Sequence, residues 1–72
     1  MALIKRLSRD DKQEIMQIIK IAANSRRAKQ AEAILLASNN YNIVQISENI
    51  RVLDITVEFW IDEYKRNGIT SI

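Results

Sequence analysis

The sequence predicts an all-α fold of four short helices, and three observations carry that prediction. Isoleucine, leucine, valine and alanine recur at three- and four-residue spacing along most of the chain. Ser or Asn precedes three of these apolar stretches, where a helix needs a side chain to accept from its free N–H groups. The 72 residues contain one Gly and no Pro, a scarcity of breakers that suits helices joined by short turns.

Each element follows from its own signals. Residues 1–7 (MALIKRL) are expected to form an arm or a short edge strand. Ser8 opens a first helix over 8–22, with Asp11 in capping-box position and Ile15, Ile18, Ile19 and Ala22 on one stripe. Asn24 and Ser25 interrupt the pattern and provide the next cap. A second helix over 25–38 turns Ala28, Ala31, Ile34 and Leu35 inward, and its alanines permit close helix approach. Asn39 and Asn40 tolerate left-handed backbone and end it. Asn42 and Gln45 form the third capping signal, opening a short helix over 42–50 with Ile43, Ile46 and Ile50 inward. The fourth helix, over 54–67, places Val57, Trp60, Ile61 and Tyr64 at buried-face spacing, and Gly68 stops it. Trp60 is expected between the second and third helices.

Composition bounds the function. The chain is a single domain over 1–72, near the size where one core is marginally stable. Apolar residues make up 47% and charged residues 28%, which is globular rather than disordered. With no Cys and no His, disulfides, thiolate or imidazole metal sites and His-based acid–base chemistry are excluded. No Gly-rich phosphate loop, nucleophile–base pair or metal-ligand cluster is apparent, so no enzyme, cofactor or small-molecule substrate is expected. No stretch approaches a signal peptide or a membrane span, and a soluble cytoplasmic protein is the expectation.

The last two helices have the spacing of a helix-turn-helix, in the homeodomain-like or winged-helix-like sense, over 42–67. Such a pair needs a small residue at its crossing and apolar residues on both inner faces. Ile46, Ser47, Ile50, Val52, Val57 and Trp60 satisfy this; a plain four-helix bundle is the competing reading.

These residues also carry a family resemblance, which extends from Leu7 to Ile72. The chain resembles the N-terminal DNA-binding region of the transposases of bacterial insertion sequences related to mariner elements. The matching residues are Leu7-Ser8, Ala31, Ile34-Leu35-Leu36-Ala37, Asn42, Ile46, Val52, Thr56-Val57, Trp60, Tyr64 and Gly68-Ile69. In that family the module binds the transposon end, and a following domain with three metal-binding carboxylates cuts DNA. The resemblance thus implies DNA binding by a module without its nuclease. The chain departs from the pattern at three places. Arg51 replaces a turn glycine, at a cost of roughly 1–2 kcal/mol if the turn is left-handed. Leu53 replaces a small capping hydroxyl, so the cap is expected to move to Asp54. Asp54, Glu58, Asp62 and Glu63 replace the Arg and Lys of the family's fourth helix.

Charge is distributed accordingly. Residues 1–36 hold eight basic against four acidic residues, a balance of +4; residues 37–72 hold three against five, a balance of −2. The DNA-contact candidates therefore lie in the first half: Lys5, Arg6, Arg9, Arg26, Arg27 and Lys29. Ordinary solvated charge is the competing reading for all six. Leu53, Asp54, Ile55, Glu58, Phe59 and Asp62 form an acidic-apolar face suited to a protein partner or a homodimer. Its acids could meet Arg26, Arg27 or Lys29 of a second chain. For Asp54 the plain reading is a helix cap; for Phe59 it is packing against another helix.

Overall fold

The computed structural model describes residues 3–72, so Met1 and Ala2 of the expected arm lie outside the described residues. Among the described residues the fold is all-α. The helices are α1 (Arg9–Ile21), α2 (Arg26–Ser38), α3 (Ile43–Ile50) and α4 (Asp54–Asn67), followed by a 3-10 turn, Gly68–Ser71. The capping residues named from sequence stand just outside the helices they start. The Ser8 hydroxyl accepts from the Asp11 N–H at 3.2 Å and the Ser25 hydroxyl from the Ala28 N–H at 3.1 Å. Asn42 and Gln45 complete a reciprocal box, at 2.8 and 3.0 Å.

α2 packs against all three other helices. That explains why Ala31, Ala33, Ile34 and Ala37 are all fully buried, although they do not share one face. Alanine is needed wherever a second helix backbone comes close. The largest fully buried side chains come one from each helix: Ile15, Ile34, Ile46 and Val57. Each stabilises the fold by roughly 1.5–3 kcal/mol relative to exposure. Trp60 is also buried, in a helix that packs on both α2 and α3, and the Arg26 guanidinium of α2 lies 5.4 Å from its ring centroid.

Two expectations need correction. Leu3–Leu7 form neither a strand nor a free arm: Ile4 is 5% exposed and joins the core, with Leu3 and Leu7 packed against it. A 72-residue chain gains from every apolar side chain it can bury. Second, Asp54 is not the cap of α4. Leu53 occupies the cap position without a side-chain hydrogen bond, and Asp54 is the first helical residue. There its carboxylate benefits from the helix dipole alone. Gly68 ends α4, as expected from sequence. Gly68 adopts φ 64°, ψ −150°, a region essentially confined to glycine, and turns the chain into Gly68–Ser71. That turn returns to α2, where Gln30 Nε2 donates to the Ser71 carbonyl at 3.0 Å and Arg27 Nε to the Ile72 carbonyl at 3.1 Å.

The connection between α3 and α4 is left-handed at Arg51, φ 59° and ψ 53°. The N–H groups of Arg51 and Val52 both reach the Ser47 carbonyl, which fixes the turn despite the absence of glycine. Ser47 is 7% exposed, and its hydroxyl donates to the Val44 carbonyl at 2.9 Å. A small, internally satisfied side chain thus sits near the α3–α4 connection.

Candidate functional site

The structure separates the DNA-contact candidates into free and engaged groups. Lys5 and Arg6 are exposed and held in place by the buried Ile4 between them and Leu3. Together with Lys65 of α4 they border a groove of about 690 Å³. The groove also touches Ser8, Asp11 and Tyr64, at the start of α1. Its one carboxylate, Asp11, accepts a 2.9 Å hydrogen bond from the Tyr64 hydroxyl. Partial burial, then the hydrogen bond and the negative charge of Asp11, push the Tyr64 phenol up to about 12. The Tyr64 hydroxyl stays protonated and donates to Asp11, whose carboxylate is the one negative charge lining a groove flanked by three cations.

Sequence reasoning missed Lys65 because it lies 59 residues from Arg6, on a helix read as acidic. Its position, one turn after Ile61 and next to Tyr64, was the available signal. Arg9 is exposed as the first residue of α1. The remaining candidates are committed elsewhere. Arg26 lies over Trp60, Arg27 bonds the Ile72 carbonyl, and Lys29 is only half-exposed. Arg26 and Arg27 nonetheless open α2, whose first turn contains no acid, so cationic charge adds to the positive end of that helix.

Leu53, Asp54, Ile55, Glu58, Phe59 and Asp62 are all exposed. Leu53, Ile55 and Phe59 are 73%, 70% and 56% exposed, and Val44 of α3 is 55% exposed. Phe59 does not tuck against another helix. At 100° per residue, Ile55, Glu58, Phe59 and Asp62 share the side of α4 opposite Val57, Trp60, Ile61 and Tyr64.

No group of His, Cys, Asp or Glu among the described residues is arranged to hold a metal ion, and no helix there is long and apolar enough to cross a membrane. Comparison of the chain with protein-family models, characterised proteins and solved structures returns no match. The functional reading therefore rests on these two surfaces.

Proposed function

We propose that the protein is a small nucleic-acid-binding module of helix-turn-helix type, contacting DNA phosphates mainly through the groove of Lys5, Arg6 and Lys65. The observation that carries the reading is the convergence of these three cations on one groove lined by a single carboxylate, Asp11. Arg9 extends this charge along the start of α1. Cations of this kind contact phosphate without reading sequence, so binding is weak to moderate and nonspecific. The likeness of residues 7–72 to transposase DNA-binding regions supports the same reading. The acids of α4 argue against that helix as the reader: a carboxylate can accept from cytosine N4, but three beside a phosphate backbone repel it.

The test is a titration of a labelled duplex at two salt concentrations. Wild type should bind, with affinity falling as salt rises. The variant Lys5→Gln/Arg6→Gln/Lys65→Gln should lose binding, since each lost contact lowers the slope of log K against log salt by about 0.9. Unchanged binding by that variant would refute the groove. A loss of preference between sequences on Glu58→Ala would make α4 the reader instead.

A second reading, that α4 is a protein-contact face, is favoured by the exposure of Leu53, Ile55 and Phe59 together. Isolated exposed apolar residues are common, but a patch of three on one helix end and its approach turn calls for a cover.

A further inference from the structure

We propose that the outer face of α4 docks onto the outer face of α1 of a second copy, giving head-to-tail self-association. The proposal rests on the reading of α4 as a contact face and does not use Lys5 or Arg6, although Lys65 borders both the groove and the acids Glu58 and Asp62.

Two exposed helix faces complement each other in charge, polarity and length. On α4, Ile55, Glu58, Phe59 and Asp62 form a stripe of two acids and two large apolar side chains. On α1, Lys12, Gln13, Met16 and Lys20 fall on one exposed side at spacing i, i+1, i+4, i+8. Met16 is 54% exposed, and the surface around Gln13, Met16 and Lys20 is a shallow depression of about 470 Å³. At 1.5 Å per residue, Lys12 to Lys20 spans about 12 Å and Ile55 to Asp62 about 10 Å. A depression lined by Gln13, Met16, Gln17 and Lys20, with Lys12 one turn before Met16 on the same helix, suits an aromatic ring flanked by two carboxylates.

The alternatives within a self-complex fit less well. A symmetric contact of α4 with α4 would set Glu58 and Asp62 against their own copies. Arg26, Arg27 and Lys29 are poorer partners for α4, because the first lies on Trp60, the second holds the Ile72 carbonyl and the third is half-covered. Other charges set the limits of the contact. Lys65 and Arg66 lie one turn past Asp62 and end the acidic stripe, while Asp10 and Glu14 lie along the far edge of the exposed side of α1.

Because the two faces are different, the contact is heterologous, and each copy keeps one free donor and one free acceptor face. Such a contact builds open chains or closed rings rather than stopping at a symmetric dimer. One helix against another is a small interface, so association is weak and concentration-dependent.

The experiment is sedimentation or light scattering on the full chain, up to about 1 mM, where a dissociation constant of that order leaves association detectable. Wild type should rise in mass with concentration. Met16→Glu blocks the α1 face and Phe59→Asp the α4 face; both sites are exposed, and retained helix content is checked by circular dichroism. Each variant alone should be monomeric, and an equal mixture should form a one-to-one dimer, since each supplies the face the other lacks. As a second arm, Glu58→Lys/Asp62→Lys should dissociate the assembly, and adding Lys12→Glu/Lys20→Glu in the same chain should restore it. A dimer insensitive to Met16→Glu but broken by Phe59→Asp would overturn the α1 docking and leave α4 as a contact face. Association insensitive to both, or a wild type monomeric throughout, would overturn the proposal.

Discussion

Replacing Arg51 by glycine should make this protein more stable. Arg51 adopts φ 59°, ψ 53°, and the hydrogen bonds of its own and the next N–H to the Ser47 carbonyl hold it there. A left-handed residue carrying a Cβ costs roughly 1–2 kcal/mol relative to glycine. Glycine returns part of that gain by loosening the unfolded chain, by roughly 0.4–1 kcal/mol. The Arg51 side chain is exposed, so little packing is lost. The net expectation is a stabilisation of about 1 kcal/mol, which in a domain of this size raises Tm by roughly 4–8 °C. Among the described residues, Asn24 at φ 66° and Asn40 at φ 71° also have positive φ. Asparagine tolerates it better, so Asn40→Gly should shift Tm less than Arg51→Gly. Thermal unfolding followed by circular dichroism measures all three proteins. An unchanged or lower Tm for Arg51→Gly, with helix content intact, would refute the argument that this turn stores backbone strain.

Two further outcomes test the core and the groove. Ile46→Ala empties a fully buried position of α3 and should cost roughly 2–5 kcal/mol, enough to leave so small a domain largely unfolded; chemical denaturation reads the loss. The Tyr64 phenol, pushed up to about 12, keeps its proton in the folded state while the unfolded chain ionises near pH 10. Its contribution is therefore complete below pH 10 and is lost as pH rises toward 12; solvent screening of this partly exposed group keeps it at or below about 1 kcal/mol. In a Tyr41→Phe background, phenolate absorbance should titrate late, and Asp11→Asn should lower the midpoint only part of the way, because burial is the larger cause.

The helices were legible because their signals are local. A hydroxyl or amide three residues before an N–H, and isoleucines at helical spacing, act within one turn, so Ser8, Ser25 and Asn42 marked three helix starts. The exposed face of α4 was legible for the same reason: once Val57, Trp60 and Tyr64 define the inner side, Ile55 and Phe59 must lie outside. The fourth helix starts at Asp54 as read, but its cap was misjudged, since a carboxylate in the first turn is favoured by the dipole whether or not it caps.

The sequence alone thus determined that this chain is helical, where the helices begin and end to within a residue or two, and which side of α1, α3 and α4 turns inward; for α2 it missed the buried Ala33 and Ala37. Only the tertiary structure decided that Ile4 anchors the leading segment and that Gly68 turns the tail back to α2. It also decided that Asp11 bonds Tyr64 across 53 residues and that Lys65 joins Lys5 and Arg6 at one groove. These are contacts between segments distant along the chain. Their geometry depends on how four helices pack at once, which no local spacing encodes.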